Sequence, residues 1–333
     1  MKTVGALASV VVLVALTASA PRADRGAEAE VVAVGVPRPL QLAFDGSQLV
    51  VLGPGTRGDA AGELYRIDVE GELPVDLSRE PRVSIPFADT RMATLGSLAI
   101  RPVTHELFLG EENGNRIYRL TTDERLALYA TGLRRLAGGS TLTFDTRGRL
   151  VVVDYADPAL SESEDRPPPG LEYQFREEDY RGPIIFRLDL DPIIPLPRRL
   201  GRAAPLFPRG WGGKQGGALL PRIIAGVAVG ADELVFLTSK GEMYRLDAQG
   251  RFGLFARLPA GQYNRINLVA APDGSVVVSG GFHVGRIFRV SPGGAVELLA
   301  ENLADPEGIA LDGHGNVYVA ESSFHRILRL RPL

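Results

Sequence analysis

The chain has 333 residues, 45% hydrophobic and 23% charged, enough apolar material for a sizeable core and too apolar for a disordered polymer. Its 37 basic and 40 acidic side chains leave a net charge of -3, which provides no electrostatic footprint for nucleic acid or an anionic membrane surface. With no cysteine, disulfides, thiolate metal sites, cysteine nucleophiles and a lipid-bearing cysteine behind a leader are all excluded.

Residues 1–20 read as a secretory signal, with a single charge at Lys2, an apolar run over 4–16 and the ending Ala18-Ser19-Ala20. They predict a secreted or periplasmic protein with no membrane span once the leader is removed. The alternative is an uncleaved anchor, because Pro21 follows the cleavage point and the uncharged stretch 3–21 borders on spanning length. Residues 21–30 form a polar lead. The run Val31-Val32-Ala33-Val34-Gly35-Val36 then precedes Pro37 as an isolated strand.

From Leu42 onward one hairpin recurs: LAFDGSQLVVL, then LAIRPVTHELFL from Leu98, LTFDTRGRLVVV from Leu142, VAVGADELVFL from Val227, LVAAPDGSVVV from Leu268, and a last copy from Ile309. A following strand also recurs, as Leu64-Tyr65-Arg66-Ile67, Ile117-Tyr118-Arg119-Leu120, Ile185-Phe186-Arg187-Leu188, Met243-Tyr244-Arg245-Leu246, Ile287-Phe288-Arg289-Val290 and Ile327-Leu328-Arg329-Leu330. Two markers in fixed order, with a period of about 41 residues in the last three copies, predict a six-bladed β-propeller of four-stranded antiparallel blades forming one domain over residues 31–333. The chain stops without an outer strand for blade six, so the strand at 31–36 is expected to complete that blade and close the ring.

Blade three carries two insertions, at about 155–183 and 192–221, and the second contains Trp211. Neither shows strand or helix periodicity, so both read as loops on the face where the innermost strands begin. The first is expected to be a flap, with its acidic half over 161–169 loose and its half with Leu171, Tyr173, Phe175 and Tyr180 docked on the rim. The alternative is a solvated acidic loop with no ligand.

The arginine repeated in all six third strands is expected to do a structural job in each blade, pairing with Asp45, Asp145 or Asp312 at strand ends. Glu307 and Glu321 are expected side by side at the opening of blade six, where two carboxylates need a cation, an arginine, a histidine or a shared proton. They are the candidate metal ligands; neutralisation by Arg326 or His325 without a ligand is the alternative. His283 and His325 fall in turns of adjacent blades on this same face and are candidate general bases or ligand contacts, or solvated turn residues. His105 and His314 fall in turns of the opposite face. Ser140, Asp154, Glu112 and Trp211 complete the candidate ligand-binding set. A Ser140–His283–Asp154 triad is set aside, because no G-x-S-x-G elbow is present.

The segment P-x-G-I-A-x-D-x-x-G-N-V-Y-V-A-E, residues 306–321, resembles the NHL repeat and the blades of the family that includes gluconolactonases, regucalcin-type senescence marker proteins and luciferin-regenerating enzymes. The resemblance implies a six-bladed propeller with a ligand site at one axial end. In the lactonase branch it further implies a divalent cation, often calcium, held by Glu, Asn and Asp side chains at the residues that open the innermost strands. Those positions here are Leu40, Gly96, Ser140, Ala225, Ile266 and Glu307, with Gln41 and Asn267 one register away. The leading expectation is an exported monomer that binds a small molecule, peptide or protein at its loop-rich axial face with little or no catalysis. The alternatives are a metal-dependent lactonase or esterase, with Glu307 and Glu321 as ligands and His325 or His283 as base, and an assembly scaffold.

Overall fold

Each repeat begins with an apolar strand that runs into a polar turn. In blade six Asp312 caps that turn, accepting the N–H groups of His314 and Asn316 at 2.9 Å each while Gly315 takes a positive φ of 83°. An Asx-type turn of this kind reverses the chain without a Cβ penalty and sets the register of the returning strand. The computed structural model describes residues 29–331 apart from 57, 113, 134, 135, 137, 155–183, 191–194, 201–205 and 207–222. The leader, the first insertion of blade three and Trp211 lie outside the described residues.

Six sheets result. Blade one is Gln41–Asp45, Gln48–Gly53, Ala60–Asp68 and Arg82–Pro86. Blade two is Leu95–Ile100, Leu107–Glu111, Ile117–Leu120 and Leu126–Thr131. Among the described residues blade three has three strands, Leu142–Phe144, Leu150–Asp154 and Ile184–Leu188. Blades four and five are four-stranded, opening with Ile223–Ala228 and Leu268–Ala270. Blade six is Pro306–Leu311, Val317–Glu321 and Arg326–Leu330, completed by Ala29–Val34.

That closing strand pairs antiparallel with the last one, Ala29 opposite Leu330 and Val34 opposite Arg326, as expected from the unpaired edge. Two short segments add edge strands. Val75–Asp76 pairs parallel with Ala33 and Val34, and Arg198–Arg199 pairs parallel with Ala130 and Thr131 of blade two. Both cover outer edges that would otherwise expose unpaired backbone groups.

The core lies between blades. In the third strands the residue before the repeated arginine is an aromatic in five blades, and Tyr65, Tyr118, Phe186 and Phe288 are at most 2% exposed. Burial of each contributes roughly 2–3 kcal/mol. Strand alternation then turns the arginine to the sheet's other face. The apolar cluster that joins Val32, Tyr318 and Ile327 to Leu42, Val51 and Tyr65 continues the core across the closure, and Phe44 meets Tyr318 edge-on at 5.1 Å. Among the described residues no helix is long and apolar enough to cross a membrane.

Candidate functional site

At the end of the ring away from the arginines, each blade delivers the residue just before its innermost apolar strand toward the axis. Aligned on the hairpins, these residues are Gln41, Ser97, Thr141, Gly226, Asn267 and Gly308. Four are polar and buried, and they bond across the axis. The Asn267 amide donates to Gln41 Oε1, Ser140 Oγ donates to Asn267 Oδ1 at 2.6 Å, and Ser97 and Thr141 share a hydroxyl contact of 2.5 Å. Gly139, at φ 108°, allows the chain leading into blade three to reach the opposite wall, where Ser140 N–H donates to Ile266 carbonyl at 3.1 Å. A Cβ on Gly139 would stand 2.1 Å from that carbonyl oxygen. The axis is therefore closed by a satisfied polar network, above which the charged groups collect.

Glu307 is the exception among them. It is 2% exposed, and its Oε1 has no hydrogen-bond partner. Burial pushes its carboxyl up to about 7, against the opposing pull of Arg265 and then Arg38, with Glu112 adding to the rise. Arg265 Nη1 lies 4.0 Å from Glu307 Oε1, while its Nη2 pairs with Glu112 Oε1 at 2.6 Å. One guanidinium from blade five thus stands between carboxyl groups of blades two and six. Arg265 takes a left-handed φ of 52°, and Arg38, Asp305 and His325 around it are also left-handed. Such conformations cost energy in residues other than glycine and persist where surrounding structure enforces them.

The two predicted partners of blade six are separated by a bulge. Pro306, not Glu307, faces Glu321, and the irregularity between Pro306 and Ile309 turns Glu307 to the axis. Glu321 is committed elsewhere: it accepts the Ala304 N–H at 2.8 Å and the Nε of Arg326. The same arrangement recurs in blade two, where Arg116 Nε donates to Glu111 at 2.8 Å. A buried glutamate with an arginine five residues on is a repeat feature, and comparing the two blades in sequence would have exposed it.

His325 is exposed, and its Nδ1 accepts the backbone N–H of Arg38 at 2.9 Å, which joins it to the charged cluster. His283 is exposed and meets Phe282 edge-on at 4.6 Å. Its turn is clasped at the site, because Gly281 N–H donates to Pro306 carbonyl at 2.9 Å and Phe282 N–H to Asn264 carbonyl at 3.0 Å. Glu112 joins the cluster through Arg265, Ser140 belongs to the network below, and Asp154 is fully buried at the end of its strand. Arg265 and Arg38 were missed. The signal for Arg265 was present: its counterparts are Pro39, Leu95, Gly139, Ile224 and Pro306, so a charge there breaks the repeat.

No family model matches the sequence, and no curated protein matches it either. Solved structures do. Virginiamycin B lyase from Staphylococcus aureus superposes with a TM-score of 0.58 at 13% identity, covering 92% of this chain and 99% of its own. A gluconolactonase from Xanthomonas campestris gives 0.56 at 14% identity, over 91% and 89%. Regucalcin from Agrobacterium tumefaciens, described as a calcium-binding protein, gives 0.57 at 12% identity, over 91% and 93%. The fold is shared with these propellers. At such identities the likeness extends to the fold alone.

The expected calcium can be tested on the donors. Calcium takes six to eight oxygens. Here Gln41 and Asn267 oxygens accept bonds within the network, Glu112 holds Arg265, and Glu321 holds Arg326. Leu40, Ala225 and Ile266 bring no side-chain oxygen, and among the described residues no group of three or more acidic or histidine side chains converges. The residues present do not fit a divalent cation.

Proposed function

We propose that the protein is an exported propeller that binds a small polar molecule at this axial end, with Arg265 as the first contact. The reading rests on one observation: a half-buried arginine in a left-handed conformation, its guanidinium paired with Glu112, faces a buried carboxyl whose Oε1 lacks a hydrogen bond. An unsatisfied buried polar atom costs about 1–3 kcal/mol, so it is retained where a ligand or a function repays it. Arg265 presents several N–H donors, which suits a ligand rich in carbonyl or hydroxyl oxygens. The exposed rings of Phe282 and Phe324, on the turns that also carry His283 and His325, offer apolar surface at the rim. Isothermal titration with sugar lactones, hydroxy acids and free sugars tests this. Binding by the native protein that falls at least about tenfold in Arg265→Ala is expected, and no binding across the panel sinks the reading.

A second reading is favoured by the Glu307 carboxyl near 7, which populates acid and base forms together at neutral pH and suits proton transfer. The chain would then be a hydrolase for lactones or esters, Glu307 taking a proton from the attacking water while Arg265 steadies the charge on the carbonyl oxygen. Turnover lost about a hundredfold or more in Glu307→Gln, with binding kept, would establish it over simple binding.

A further inference from the structure

We propose that the Arg265 guanidinium is a built-in axial cation, doing in this chain what a bound divalent ion would do between the carboxyl groups of Glu112 and Glu307. The two acids belong to blades on different sides of the ring, and Arg265 reaches both, at 2.6 Å and 4.0 Å. The charge that draws the top of the ring together is therefore covalently attached and cannot be removed by chelation. Its placement is costly and specific. The backbone adopts φ 52° at Arg265, and the adjoining Asn264 carbonyl is anchored by Phe282 N–H at 3.0 Å. Gly138 makes room for the Glu112 carboxyl, whose Oε1 would lie 3.2 Å from a Cβ at that position. Among the described residues no oxygen cage surrounds the carboxyl pair, because the amide and hydroxyl oxygens of Gln41, Asn267 and Ser140 are spent on one another.

The inference does not depend on which ligand the axial end takes, and its test measures no ligand. Purified full-length protein is melted in chelator and in about 10 mM calcium, magnesium or manganese chloride, and its metal content is measured. The native protein is expected to carry no stoichiometric divalent ion and to melt within about 1 °C in every condition. Measured at about pH 9, where Glu307 ionises, Arg265→Ala exposes Glu112 and Glu307 to each other; its midpoint should fall in chelator and recover by about 2 °C or more with the cation. Arg265→Lys keeps the charge and should behave as the native protein. One equivalent of divalent ion in the native protein, with a lower midpoint on chelation, overturns the proposal, as does an Arg265→Ala midpoint that no cation moves. If Arg265→Ala does not fold, native metal content and the same comparison in Arg265→Gln decide.

Discussion

The two ends of the propeller use charge in opposite ways. At the end carrying the repeated arginines, all six have an acidic partner: Arg66 with Asp45 at 2.7 Å, Arg119 with Glu106 at 3.5 Å, Arg187 with Asp232 at 2.7 Å, Arg245 with Glu233 at 3.1 Å, Arg289 with Asp273 at 2.6 Å and Arg329 with Glu30 at 2.8 Å. At the axial end blades two and six share a buried glutamate–arginine pair, but Arg265 and Glu307 have no like-charged counterpart at their aligned positions, and Glu307 Oε1 goes without a hydrogen bond. What a repeat keeps in every copy supports the fold; what one blade alone carries is where a function has room to act. His105 and Glu124 show that left-handed backbone occurs in turns at the arginine end too, so the axial strain gains meaning from its coincidence with the unsatisfied Glu307 Oε1.

Three substitutions break or sharpen this contrast. The largest effect is expected from Arg116→Met, which strips the buried Glu111 of its ion pair and should cost about 3 kcal/mol in urea unfolding at pH 7. A loss below about 1 kcal/mol would mean that the glutamate–arginine pairs of blades two and six are not structural. Glu307→Gln should act in the other direction. The folded carboxyl sits near 7 against an ordinary 4.5, so the folded state keeps a proton that the unfolded chain releases. That penalty is absent below about pH 4.5, grows up to about 7 and is complete above it. The glutamine variant should therefore match the native protein at pH 4 and exceed it by about 2–3 kcal/mol at pH 8, read from unfolding curves across that range. Equal stability at both pH values would show that Glu307 is not held in a desolvated state. The smallest effect belongs to Arg66→Ala. Its side chain is 42% exposed, so the loss should stay within about 1 kcal/mol despite the short contact with Asp45.

Much of the architecture was legible because it is repeated: six hairpins, six arginine strands, and an orphan edge that required the strand expected at 31–36, which lies two residues earlier at Ala29–Val34. The structural role of the arginines was legible too, although Arg329 pairs with Glu30 rather than Asp312, which spends its carboxylate on its own turn. Local register was not. The pattern of residues 306–321 places Glu307 opposite Glu321, and only the bulge, forced where Gly308 lies close against Gln41, sends the two apart. Arg265 was readable as the one charge in a column of apolar, glycine and proline residues. Its reach to Glu112 depends on how blades two and five face each other across the axis, which no local pattern encodes.

The strand that closes the ring also decides how the ring would open. Ala29 sits opposite Leu330 and the pairing runs inward to Val34 and Arg326, so a pull applied at Ala29 and Leu330 loads the ladder one rung at a time. Peeling of this kind needs far less force than sliding two strands past each other. During synthesis the strand at 29–34 emerges long before its partner, and its pairing is the most distant contact in sequence, the slowest kind to form. Blade six is thus expected to fasten last and, when pulled at these ends, to yield first.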